Sequence, residues 1–467
     1  MICRRSASFV LPVLMLLSLF AAKPVSVAAE ETSLDRYLAK PDATYEWKVV
    51  KTVPAKGATI FVVDLKSQTW RTTKDVNQTV WQHWLTVIKP DKPASKTGFL
   101  FIAGGANGKN PPATPDDKVV QIARATNTVV AELKMVPNQP LIFHGDNVKR
   151  VEDDLIGYTW DQYLKTGDDT WPARLPMVKS AHRAMDCVQE LLKSEQGGGI
   201  EIEKFVVAGG SKRGWTTWLT GATDKRVAAI IPLVIDVLNV NVSMRHHFAA
   251  YGFWAPAVSE YVDHRIMQRM NDPKLVDLYA IEDPISYKNR LTLPKFIVNA
   301  TGDQFFLPDS SQFYFDELQG EKYLRYVPNA DHSLGGTDAL ESIVAFYELI
   351  INGKPRPEFE WSMEGDGAIR VKSKTAPKQV TLWQATNPKA RDFRVESVGK
   401  IYKSTALKPE ADGTWIGKVE KPAEGWTAYF VELAFDTGIK VPLKMTTPVR
   451  VIPDVLPHAD KDPVAAD

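Results

Sequence analysis

The stretch Phe205-Val206-Val207-Ala208-Gly209-Gly210-Ser211-Lys212-Arg213-Gly214-Trp215 decides how this chain is read. A run with β-branched residues reaches two glycines and a serine, and Trp215-Thr216-Thr217-Trp218-Leu219 leaves at helical spacing. The pattern predicts strand, sharp turn and helix, with a hydroxyl at the apex. Such a turn strains the apex residue, and small neighbours at Gly209, Gly210 and Gly214 let strand and helix close on it. Ser211 is then a candidate nucleophile, with the N–H of Lys212 aimed at a substrate oxygen. A glycine-rich strand end with an ordinary serine N-cap has the same local pattern, and Arg213 stands where the common elbow has glycine. The flanking chain has to decide.

On either side of this turn, strands and helices alternate. Thr97 to Ala103 is an apolar run opening into Gly104-Gly105-Ala106-Asn107, followed by a helix over Asp116–Ala125 and a strand over Thr128–Met135. Leu175, Val178, Ala181, Met185, Val188, Leu191 and Leu192 mark an amphipathic helix. Val227 to Ile235 is a strand ending at Asp236. Leu293 to Ala300 opens into Thr301-Gly302-Asp303, and Lys322 to Val327 leads to Pro328-Asn329-Ala330-Asp331-His332. Helices are expected over Ser310–Leu318 and Ala339–Leu349. Buried strands joined through helices predict a mostly parallel, helix-covered sheet. The runs Tyr45–Val53, Thr59–Leu65 and Val80–Ile88 predict an antiparallel edge to it. Residues 137–172 read as a long connection walling a cleft, with Asp153 and Asp154 as a solvated loop pair. Residues 237–290 interrupt the alternation and read as a cap over the sheet.

Strand ends in such a sheet gather at one edge, where ligands bind. Three of them carry Ser211, Asp303 and His332. A serine needs a base to attack at neutral pH, and an imidazole oriented by a carboxylate supplies one. The order Ser…Asp…His is that of the α/β-hydrolases. The expected fold class is therefore α/β: an α/β-hydrolase-like, mostly parallel sheet over 30–353 with a helical cap insertion at about 237–290. The expected oxyanion hole is the N–H of Lys212 with one from Gly104 or Gly105. Asp236, which also follows a strand, is the second candidate acid, and Asp331 is a third. Lys212 and Arg213 either lie at the surface or bind an anionic group. Arg213, Trp215, His246 and His247 are the candidate substrate contacts, the histidines lining the cap or facing solvent. No H-E-x-x-H or comparable ligand cluster accompanies the histidines, so neither a metal nor another cofactor is expected.

From about Lys354 the pattern becomes short alternating runs with turn signals: Gly367–Val371, Gln379–Gln384, Trp415–Val419, Trp426–Phe435 and Pro448–Ile452. A C-terminal β-sandwich domain of immunoglobulin or fibronectin type is expected over 354–453, with a disordered tail over 454–467. At the other end, Arg4 and Arg5, the apolar run Phe9–Ala22 and the small residues Val27-Ala28-Ala29 read as a secretory signal over 1–29. The apolar run is too short for a permanent span. The expected location is secreted or periplasmic, with no membrane association after cleavage. Cleavage would take Arg4, Arg5 and Lys23 from the 57 basic side chains and none from the 56 acidic ones. The near-neutral remainder carries no nucleic-acid footprint. Of the two cysteines, Cys3 lies in the signal and Cys187 on the apolar face of a helix, so no internal disulfide is expected.

Gly209-Gly210-Ser211-Lys212-Arg213-Gly214-Trp215-Thr216-Thr217-Trp218, Asn299-Ala300-Thr301-Gly302-Asp303-Gln304-Phe305-Phe306 and Asn329-Ala330-Asp331-His332-Ser333-Leu334 resemble the PhoPQ-activated pathogenicity-related family. The likeness runs from about Leu34 to about Pro453 and implies an α/β-hydrolase-like domain followed by a β-sandwich. The elbow alone is also similar to the G-C-S-R-x-G of glucuronoyl esterases, with Gly210 and Lys212 in place of cysteine and arginine. That second resemblance implies a basic residue assisting the oxyanion or a uronate group. The expected activity is a secreted serine hydrolase acting through an acyl-enzyme on a small-molecule, peptide or glycan-ester substrate. The rival expectation is a binding or signalling protein that keeps the fold without turnover.

Overall fold

In the computed structural model, residues 31–438 and 441–466 are described. The signal segment read over 1–29, with Cys3, lies outside the described residues. The apolar runs form β1 (Glu46–Ala55), β2 (Ala58–Thr69), β3 (Val80–Pro90), β4 (Thr97–Ile102), β5 (Val130–Leu133), β6 (Lys204–Gly210), β7 (Val227–Leu233), β8 (Lys295–Ala300) and β9 (Lys322–Val327). Their order across the sheet is β1-β2-β3-β5-β4-β6-β7-β8-β9. The pairs from β5 to β9 are parallel, and those from β1 to β5 antiparallel. This is an α/β-hydrolase-type sheet with an antiparallel edge.

Period-two alternation splits β6 between two apolar layers. Phe205 and Val207 face one, Val206 and Ala208 the other. The first layer is closed by helices α4 (Arg174–Lys193) and α5 (Lys212–Thr223), through Val178, Ala181 and Trp218. The second is closed by α2 (Asp117–Thr126) and α9 (Ala339–Ile351), through Val119, Ile122 and Phe346. Cys187 is buried in the first layer, where burial pushes its thiol well up. The cap consists of α6 (Val240–Tyr251), α7 (Ser259–Asp263) and α8 (Pro273–Glu282) with short 3-10 turns between them. No helix among the described residues is long and apolar enough to cross a membrane.

Two elements differ from the sequence reading. The connection 137–172 contains a four-turn helix, α3 (Glu152–Thr166). Every residue from Leu155 to Asp161 is buried in it, so no apolar stripe stands out against a polar face. Conversely, Ser310–Leu318 forms only a 3-10 turn at Ser310–Phe313.

The C-terminal strands are β10 (Phe359–Met363), β11 (Ile369–Ser373), β12 (Gln379–Asn387), β13 (Lys403–Ala406), β14 (Trp415–Gly417), β15 (Trp426–Phe435), β16 (Leu443–Thr446) and β17 (Arg450–Ile452). β10, β11 and β14 make one antiparallel sheet, and the others make a second. The inner faces meet through Ile369, Val371, Leu382 and Val431. The second sheet continues the main one, because Thr446 of β16 pairs with Leu324 of β9. The residues after Pro453, read as disordered, are instead tied down by hydrogen bonds: Trp426 Nε1 to the Val455 carbonyl at 3.1 Å, His458 N–H to Ala249 at 2.9 Å, and Gln268 Nε2 to Ala466 at 3.0 Å.

Candidate functional site

Ser211 sits between β6 and α5 with φ 57° and ψ −128°, a conformation that L-residues seldom adopt. Close packing holds it there. A Cβ on Gly209 would meet the Arg213 carbonyl oxygen at 2.7 Å, and one on Gly214 would meet the Gly209 and Leu233 oxygens at 2.9 Å. Gly210 is not constrained in this way, its nearest neighbour being 3.9 Å away. The Ser211 N–H donates to Leu233 O at 2.9 Å, tying the turn to β7.

Asp303 follows β8 and His332 follows β9. His332 Nδ1 lies 2.9 and 2.8 Å from the two Asp303 oxygens, and Phe305 N–H donates to Asp303 Oδ1 at 2.8 Å. His332 Nε2 is buried and has no hydrogen-bond partner among the described residues. His332 and Ser211 share the wall of one cleft, which runs between α2 and α9. Asp236 is placed differently. It accepts hydrogen bonds from the Tyr314 and Tyr326 hydroxyls, both at 2.6 Å, and burial pushes its carboxyl up to about 8 despite them. Asp331 accepts from the backbone and hydroxyl of Ser333. Asp303, of the three candidate acids, is the one bonded to the imidazole.

The basic residues after Ser211 are buried in ion pairs with the start of α3. Lys212 Nζ lies 2.8 Å from Glu152 and 2.9 Å from Asp153. Arg213 makes a bidentate pair with Glu152, both contacts at 2.7 Å, and donates to the Val136 carbonyl. Burial would raise the Glu152 carboxyl, but Arg213 and Lys212 hold it well below the usual carboxylate range. Asp153 also accepts from Tyr261 at 2.9 Å, and Asp154 pairs with His264 at 2.7 Å. The acidic pair read as solvated is therefore structural, and Arg213 is on the wall of neither cavity that Ser211 lines.

Gly104 packs against the Arg213 guanidinium and Gly105 against Met135. A Cβ on Gly104 would come within 2.7 Å of Arg213 Nη2, and Gly105, at φ 139°, accepts at its carbonyl from Gln139 Nε2 at 3.1 Å. Gln139 also donates to Glu152 at 2.5 Å. Glu152 thus links the elbow to the glycine loop, a role with no local sequence signal. Its three partners lie 13 to 61 residues away in sequence.

Trp215 lines a pocket beside Ser211. The two histidines do not. His246 pairs with Asp309, which also binds Arg391 at 2.6 Å. His247 Nε2 accepts the Ala255 N–H at 3.1 Å, and burial lowers its pKa to about 3. It is a neutral packing residue against Trp254 and Tyr251. Among the described residues, no three of His, Cys, Asp and Glu are grouped to hold a metal ion.

A family model described as PhoPQ-activated pathogenicity-related protein matches residues 34–394. The chain belongs to that family. Another relative of this PhoPQ-related chain is autocrine proliferation repressor protein A of Dictyostelium discoideum, 38% identical across 95% of this chain and 94% of the relative. Among solved structures, acetyl xylan esterase 1 from Thermoanaerobacterium is 12% identical, covering 68% of this chain and 92% of that one, with a TM-score of 0.47. A glucuronoyl esterase from Solibacter usitatus is 12% identical over 68% of this chain and 91% of that one, with a TM-score of 0.39.

Proposed function

We propose that this PhoPQ-related protein is a secreted serine hydrolase acting on an ester or peptide through an acyl-enzyme. The observation that carries the reading is His332: its Nδ1 is bonded to Asp303, and its Nε2 is left without a partner on the cleft wall it shares with Ser211. In the reaction, Nε2 takes the Ser211 Oγ proton while Oγ bonds to the substrate carbonyl carbon. The negative charge on the carbonyl oxygen is met by the N–H of Lys212 and one from Gly104 or Gly105. Nε2 then returns the proton to the leaving oxygen or nitrogen as its bond to carbon breaks. Water, deprotonated by the same nitrogen, bonds to the acyl carbon, and the acid leaves as the Ser211 Oγ–carbon bond breaks and Nε2 returns the proton to Oγ. Asp303 orients the ring and stabilises the imidazolium.

A fluorophosphonate should label the full-length protein and leave Ser211→Ala unlabelled. A folded wild-type protein that takes no label would refute the hydrolase reading. It would favour the second one, a signalling protein on a hydrolase scaffold, to which the name of the Dictyostelium repressor points. Secretion rests on the pattern at residues 1–29, and the exported protein should begin at Glu30 when its N-terminus is sequenced.

A further inference from the structure

Ser211 lies on the walls of two cavities rather than one. The larger cleft carries His332 and the loop after it. The second is a more compact pocket under the cap, lined among others by Trp160, Trp215, Val240, Met244 and Met267. Phe305 and Phe306, on the wall of this pocket, stand 4.4 and 6.1 Å ring to ring from His332, which is not itself on that wall. This asymmetry has a chemical consequence. The group leaving the acyl carbon must receive its proton from the histidine, so it has to sit on the imidazole side of the serine. The acyl substituent is left with the other side.

Charge in the compact pocket is already spent. Lys212 is paired with Glu152 and Asp153, and Asp153 accepts a further bond from Tyr261. Arg174 is paired with Glu282 at 2.8 Å and lies 3.7 Å over the Trp215 ring. The indole N–H of Trp160 donates to the Glu282 carboxylate and that of Trp215 to the Glu282 backbone carbonyl. Arg174 Nε is buried and has no hydrogen-bond partner among the described residues. A charged acyl group would lose its hydration there and find no free counter-charge. An aromatic or branched apolar group would bury its surface against aromatic and methionine side chains.

We infer that the cap pocket is the acyl site and that it selects an uncharged, apolar acyl group of about the bulk of a phenyl ring, with the leaving group lying in the cleft that carries His332. This rests on the serine-hydrolase reading. The test therefore pairs a chemistry-only readout with a selectivity readout on the full-length protein. Fluorophosphonate labelling of Ser211 reports the nucleophile, and kcat/KM for the p-nitrophenyl esters of acetic, phenylacetic and succinic acids reports the pocket.

The expected result is labelling, with phenylacetate preferred over acetate by about tenfold or more and the succinate hemiester the poorest of the three. Labelling with acetate or succinate preferred, or with none of the esters turned over, overturns the acyl assignment while the hydrolase reading stands. No labelling and no turnover overturns both. In Val240→Trp, which fills the pocket, the phenylacetate-to-acetate ratio should fall about tenfold. An unchanged ratio in a variant melting like wild type overturns the assignment. Met244→Phe gives the same readout should Val240→Trp fail to fold, and the wild-type ratio needs no variant.

Discussion

The elbow and the two loops that face it are held in different ways. Ser211 is fixed by its own neighbourhood: β6, β7 and α5 close on it through Gly209, Gly214 and the Leu233 carbonyl, all within 24 residues. Asp303 and His332 are braced from the far end of the chain. The Gly302 carbonyl accepts the Val395 N–H at 3.0 Å, and a Cβ on Gly302 would sit 2.3 Å from Val395 Cγ2. Asn329, three residues before His332, exchanges hydrogen bonds with the Tyr402 backbone at 3.0 and 2.9 Å. The Ser211 turn is thus a property of the sheet and its helix, whereas the geometry of Asp303 and His332 also depends on the C-terminal β region. A loop at a strand end is short of packing partners of its own, and here the appended strands supply them.

Perturbations on the two sides should separate accordingly. The largest effect is expected for Asp303→Asn, which leaves the loop in place but removes the charge facing His332. Turnover should fall on the order of 10⁴-fold with little change in Tm, and normal turnover would mean that another group orients the ring. Next comes Gly302→Val, which drives a side chain into Val395. Displacement of the acid by about 1 Å should cost about 10²-fold in kcat, while circular dichroism still reports a folded sheet. Equal kcat to wild type would show that the brace is not needed. On the elbow side, Glu152→Gln strips Lys212 and Arg213 of a shared partner. Lys212 keeps Asp153 and Glu152 is 40% exposed, so the loss should be about 1–3 kcal/mol in urea unfolding.

The smallest expected effect concerns Asp236. Its pKa in the folded protein, about 8, lies above the ordinary 3.8, so the native state holds a proton that the unfolded chain has released between those values. Its contribution to stability is complete below about pH 4 and is lost as pH rises through 8. Asp236→Asn should flatten the fall in urea midpoint across that window and leave the response to Gly302→Val unchanged. An unaltered pH slope would place the ionisation elsewhere.

Legibility followed the range of the interactions. Strand, turn and helix around Ser211 were readable because glycine placement and apolar periodicity are local. α3 was missed because burial on all sides erases periodicity, and Ser310–Leu318 was over-read because its apolar spacing reflects packing of turns. The histidines at 246 and 247 looked like cap contacts. Nothing in their neighbourhood announces that Asp309 and the Ala255 N–H occupy them.

By itself the sequence determined the strained serine turn, the parallel sheet around it, the order of serine, acid and histidine, and the β-rich C-terminal region. Each of these follows from backbone preference or the burial period of a single element. Only the tertiary structure decided which carboxylate meets the imidazole, where Lys212 and Arg213 spend their charge, and which side of Ser211 is lined by His332. These outcomes come from pairings between residues tens to hundreds of positions apart. Their free energy depends on mutual distance and burial, and neither quantity is written in any local stretch of the chain.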